Sequence, residues 1–171
     1  KDKITDLKRW LVDFSQELDI TNKTHLSFQY SRVSDPKYFK EIDRTNTNLK
    51  TLKSFLNLKH EDKANNLKVS LLTEDQQVVN SGTPIYVRAL EGSISKTFNN
   101  DRKIPVQIDL VRTTFTHDTA SKETGTRTHG DLKISRELNV NYPKITPRAN
   151  VAMTNYSLQK STNINRTILG A

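Results

Sequence analysis

The sequence predicts an α+β domain, on three observations. Apolar residues in the first 60 positions recur at helical spacing, residues from 66 onward alternate with period two, and after Pro143 neither period persists. We therefore expect a single domain over 1–142, with N-terminal amphipathic helices in 1–60 and an antiparallel β-rich core, a small sheet or sandwich, in 66–142. Residues 143–171 are expected to form a basic extended arm.

The first element is expected to be a helix. In "ITDLKRWLVDFSQELD" the residues Ile4, Leu7, Leu11, Phe14 and Leu18 fall on one helical face, with Trp10 beside them and mixed charges opposite. "THLSFQYSRV" alternates through Leu26, Phe28 and Tyr30 and reads as a short strand. Asp35-Pro36 is a helix start, an N-cap followed by proline, and opens a short helix over "PKYFKEID". "NLKTLKSFLNLKH" places Leu49, Leu52, Phe55 and Leu56 on one face and is expected to be a second helix.

Four alternating runs follow: "LKVSLL", "PIYVRALEGSISKTF", "IPVQIDLVRTTFTH" and "GDLKISRELNVNY". Turn residues such as Asn80-Ser81-Gly82 bound them, which argues for antiparallel strands. The final segment has scattered apolar residues, among them Tyr156, Leu158, Ile168 and Leu169, suited to docking the arm against another subunit.

Composition narrows the function. Only 33% of the 171 residues are hydrophobic and mean hydropathy is -0.70, so a small core, exposed segments or surfaces completed by a partner are expected. Thr (20 residues) and Asn (15 residues) are abundant, which favours extended, turn-rich surfaces. The absence of cysteine excludes disulfides and thiolate metal sites and fits a reducing compartment. No apolar run reaches the roughly 18 residues of a helical membrane span, and the first residues lack a signal-peptide core. The net charge of +8 is concentrated at the ends, with no acid after Glu137. Basic ends attract phosphates of nucleic acid or of an anionic membrane surface. Lys144, Arg148, Lys160 and Arg166 are the candidate contacts in the arm, with Arg102 and Lys103 beside Phe98.

The stretch Arg112–Asp131 holds His117, Asp118, His129 and Asp131. They would supply metal ligands if the flanking strand ends met, but the spacing matches no ligand motif, and a hairpin tip is the simpler reading. His25-Leu26-Ser27 and His117-Asp118-Thr119 are two His-x-Ser/Thr motifs, and they superficially resemble the 2H phosphoesterase family. That resemblance implies paired histidines as acid and base and paired hydroxyls on a phosphate. Asp118 departs from the pattern, which wants an apolar middle residue. No phosphate-binding glycine loop or nucleophile elbow is present.

Together these features favour a non-enzymatic structural protein without a cofactor, by compositional analogy a matrix- or capsid-like virion protein. It is expected to be cytoplasmic or in the virion, to self-associate as a homo-oligomer, and to contact nucleic acid, nucleoprotein or, peripherally, an anionic membrane. A phosphoesterase using His25/Ser27 and His117/Thr119 is one alternative. A nonspecific single-strand binder of the movement-protein type is another.

Overall fold

The computed structural model describes residues 8–44, 46–99, 104–136 and 146–170. Among the described residues nine strands follow one another. They are β1 (Leu11–Thr21), β2 (Thr24–Val33), β3 (Thr51–Asp62), β4 (Leu67–Val78) and β5 (Val87–Phe98). Then come β6 (Val106–Thr116), β7 (Gly125–Ser135), β8 (Arg148–Leu158) and β9 (Ile164–Gly170). Each pairs antiparallel with the next, so the sheet order is the sequence order, an uninterrupted meander.

This corrects the α+β expectation. The first apolar run forms β1, not a helix, and "TLKSFLNLKHED" forms β3. The physical reason is a degeneracy of spacing: residues four apart share a face in a helix and also in a strand. Phe14 and Leu18, and likewise Leu52 and Leu56, fit both periods. In β1, Val12, Phe14 and Leu18 lie on one side of the ribbon, and lateral hydrogen bonding to β2 decides the outcome. Ile4 and Leu7 lie outside the described residues. Of the short helix expected after Asp35-Pro36, one π-helical turn forms, Phe39–Asp43. The C-terminal segment is not an extended arm, because its residues build the β8–β9 hairpin and continue the sheet.

A compact apolar cluster exists only at one end of the sheet, among the described residues. Val33, Phe39, Leu52 and Val79 are buried there, flanked by Tyr38 and Leu49. The β2–β3 and β4–β5 connections meet around them. Asn80 adopts a left-handed φ of 46° and its side-chain amide donates to the carbonyls of Asn46 and Leu49 at 3.2 and 3.0 Å. Gly82 passes so close to Lys50 that an added Cβ would sit 2.2 Å from its carbonyl oxygen.

Near this end the backbone ladder breaks twice. β2 pairs with β3 from Thr24 only as far as Gln29, and β4 pairs with β5 from Leu67 only as far as Leu72. Side chains bridge the gaps instead. Ser54 Oγ accepts from the Ser31 N–H at 3.1 Å, and Thr73 Oγ1 donates to the Ala89 carbonyl at 2.7 Å. Gln76 Nε2 donates to the Ile85 carbonyl at 2.6 Å. These bonds satisfy main-chain groups that the ladder leaves open.

Candidate functional site

Alternation gives the sheet two chemically opposite faces. One carries Phe14, Leu26, Leu58, Leu71, Ile94 and Leu110; register sets Leu26, Leu58 and Leu71 side by side in one row and Ile94 beside Leu110 in the next. Many of these side chains are open: Phe14 is 52% exposed, Leu110 48% and Met153 59%. No second layer of described residues covers them. In a water-soluble fold such a face would be buried against a helix or another sheet.

The other face is polar and ion-paired. Arg88 holds both oxygens of Glu74, with Nη2–Oε1 at 2.7 Å and Nε–Oε2 at 2.9 Å, and donates to Glu91 at 3.0 Å. The Thr113 hydroxyl donates to the second Glu91 oxygen at 2.8 Å. Lys133 bridges Asp109 and Asp131, each at 3.0 Å, and Gln107 donates to Asp109. His129 Nδ1 lies 2.7 Å from Thr154 Oγ1. Charges here neutralise one another locally, leaving a wettable wall with little net field.

The apolar band does not follow the hydrogen-bonded rows. One row passes through all nine strands, beginning with Leu18, Leu26, Leu58 and Leu71. It continues through Gly92 and becomes polar at Arg112, Thr128, Asn155 and Asn165. In β6 to β8 the apolar residues lie toward the other strand ends, as Ile108, Leu132 and Val151. A belt of uniform height crossing tilted strands produces this obliquity. Strands of 10 to 12 residues such as β2 to β5 rise roughly 33–40 Å, or about 28 Å when tilted near 40°, close to the apolar band of a membrane barrel.

Residues 8–169 match the family model described as LptD: LPS transport system D. The chain belongs to the LptD family. No curated protein matches the chain. The LptD family is a non-enzymatic component of lipopolysaccharide transport. Membership overturns the virion-protein reading, the movement-protein alternative and the phosphoesterase alternative together. It likewise corrects the expected homo-oligomer, the nucleic-acid and nucleoprotein partners and the peripheral membrane contact. LptD proteins belong to the outer membrane of Gram-negative bacteria, which corrects a cytoplasmic or virion location. No described helix is long and apolar enough to cross a membrane, a criterion that does not bear on strands.

Geometry dismantles the phosphoesterase site independently. His25 and Ser27 are on β2, whereas His117 and Thr119 are in the β6–β7 connection, beyond β3, β4 and β5. Four strand spacings amount to roughly 19 Å. His25 Nδ1 lies 2.8 Å from Asp19 Oδ1, and His117 Nδ1 accepts the Thr119 N–H at 3.0 Å. His117 and Asp118 sit in the connection while His129 and Asp131 lie within β7, and no metal-ligating cluster occurs among the described residues.

The expected contact residues are dispersed. Arg148 opens β8 opposite Ser135, and Arg166 in β9 faces Thr154. Lys160 sits in the β8–β9 connection, where its N–H donates to Glu123 at 2.8 Å. That bond, with one from the Ser161 hydroxyl, holds the Glu123 carboxyl below its ordinary value. Tyr156, Leu158 and Ile168 lie on the polar face, whereas Leu169 lies on the apolar face and is 75% exposed. Lys144, Arg102 and Lys103 fall outside the described residues. Sequence reading missed Glu74, Arg88, Glu91 and Arg112. Parity alone carries no clean signal for them: Glu74 and Asp75 are adjacent, and Arg88 and Glu91 share a face only through the bulge between Arg88 and Leu90.

Proposed function

We propose that the nine strands contribute to the wall of an outer-membrane β-barrel that serves lipopolysaccharide transport. In this reading the Leu110 face meets hydrocarbon and the Arg88 face lines a wet interior. Closing a meander into a barrel satisfies every backbone donor and acceptor within the wall, which hydrocarbon demands. The single observation that carries the reading is the one-sided apolar belt running obliquely across the strands. A matching low overall hydropathy follows, since only one parity of each strand faces lipid.

The chain has no cysteine, so single cysteines report on it without background. Gln107→Cys, Ile108→Cys, Asp109→Cys and Leu110→Cys are reconstituted into phospholipid vesicles and exposed to a membrane-impermeant thiol reagent. Labelling at 107 and 109 with protection at 108 and 110 is the expected result. Uniform labelling along β6 would overturn the proposal.

A further inference from the structure

Arg112 is a cation on the apolar face with no anionic partner among the described residues; Lys96 on the same face is held instead by the Asn65 carbonyl and the Phe98 ring. Resting on the barrel reading, we propose that Arg112 and the polar row beside it hold the phosphate headgroup of a membrane lipid against the outer wall of β5 to β8.

Three observations converge on this residue. First, Arg112 points to the same side as Ile108 and Leu110, since strand residues of equal parity share a face. It is exposed, and no hydrogen bond or ion pair joins it to another described residue. Arg32, the other arginine on this face, is by contrast paired with Asp75. A cation turned toward lipid and left unpaired is costly unless something anionic meets it.

Second, Arg112 stands on the boundary of the apolar belt. Its row neighbours are Gly92 on one side and Thr128 on the other, and Asn155 continues the row. The adjoining row is Ile94, Leu110, Gly130 and Met153, apolar except for the glycine. That glycine is covered, because Leu110 Cδ2 would lie 3.1 Å from a Cβ there. A phosphodiester at Arg112 would therefore place acyl chains directly over Leu110 and Met153. The guanidinium supplies a planar donor set for phosphate oxygens, with the adjacent Thr128 hydroxyl as a further donor in the row; the Asn155 amide beyond it already donates to Asn165.

Third, there is room. A Cβ built on Gly92 meets nothing within 4 Å, so the flank of Arg112 is an open notch. Charge complementarity selects the occupant: a surface of phosphate-bearing lipid lies where a barrel's outer polar residues emerge from the hydrocarbon.

The test uses the protein reconstituted in phosphatidylcholine bilayers with and without phosphatidylglycerol, followed by gentle detergent extraction and mass measurement of retained lipid. Wild type should retain phosphatidylglycerol in preference to phosphatidylcholine. Arg112→Gln should lower that preference about fivefold, the effect of one cation at a membrane surface, while Arg112→Lys keeps most of it. Gly92→Leu should lower it too, by filling the notch without removing charge, which guards against a variant that fails to insert. Equal preference in wild type, Arg112→Gln and Gly92→Leu, with the cysteine protection at 108 and 110 intact, would overturn the lipid site and leave the barrel standing. Loss of preference on adding inorganic phosphate alone would overturn it in favour of a soluble anion. Absence of cysteine protection in either bilayer would remove the barrel reading and this site with it.

Discussion

Gln77 serves Val33 as a substitute backbone partner, reaching past β3 to close the gap beside β2. The Val33 N–H donates to Gln77 Oε1 at 2.9 Å, and Gln77 Nε2 donates to the Val33 carbonyl at 2.8 Å. Val33 is 2% exposed, so both groups would otherwise be buried without partners. Gln77→Leu should cost about 1–3 kcal/mol, the penalty of stranding buried polar groups. Hydrogen exchange at the Val33 amide should accelerate while Thr24 to Gln29, which keep their ladder to β3, stay protected. An unchanged Val33 rate would show that the suture carries no stability.

The bidentate grip of Arg88 on Glu74 requires a planar fork. Arg88→Lys should lose one of the two parallel bonds and destabilise by about 1 kcal/mol, the modest scale of a half-exposed pair. A double-mutant cycle with Glu74→Gln measures the coupling directly. A coupling indistinguishable from zero would mean that the two side chains are neighbours without being partners.

The connections β6–β7 and β8–β9 are clasped through Glu123, whose carboxylate accepts from the Lys160 N–H and the Ser161 hydroxyl, each at 2.8 Å. Those bonds favour the charged form and lower its pKa from the ordinary value of 4.5. A depressed folded-state value means that the stabilisation is fully present above the unfolded pKa and is lost as pH falls through the lowered folded value. Thermal midpoints of wild type and Glu123→Gln, followed downward from neutral pH, should therefore converge in acid. Curves that stay parallel would refute the linkage.

Gly125 is required where β7 crowds β8. A Cβ there would sit 2.3 Å from the Ser157 carbonyl oxygen, whereas one at Gly92 meets nothing. Gly125→Ala should cost about 1–3 kcal/mol through forced displacement of the β8 backbone, and Gly92→Ala should be close to neutral. Denaturant midpoints compare the two, and equal effects would contradict the close approach.

Much of the sheet was legible in residue order. β2 coincides with the alternating run Thr24–Val33, and β4 to β7 overlap the four alternating runs after residue 66, although β4 runs on to Val78, β7 starts at Gly125, and residues 137–142 of the last run lie outside the described residues. β1 and β3 were misread because their apolar pairs sit four apart, where helix and strand periods agree. β8 was missed since its alternation, Val151, Met153 and then Asn155 and Ser157, changes from apolar to polar halfway along the strand. That change reflects the belt passing toward one end of β8, a position no single strand reveals. The small hydrophobic fraction implies a small core, exposed segments or surfaces completed by a partner, and composition does not distinguish these from a sheet with one uncovered apolar face. A helical span needs a continuous apolar run, whereas a strand crosses with about half as many residues in alternation.

Alternation is a property of consecutive residues, fixed by the pleat of the backbone. Residue order alone therefore indicated alternating strands after residue 66, but not β1 or β3, and showed a sequence without cysteine. The meander order, the absence of a covering layer and the drift of the apolar belt from Leu18 to Leu169 are matters of pairing. They depend on which residues meet across hydrogen bonds between segments distant in sequence. The same registry places Arg112 on the apolar face with Ile108 and Leu110 and gathers Glu74, Arg88 and Glu91 on the opposite face.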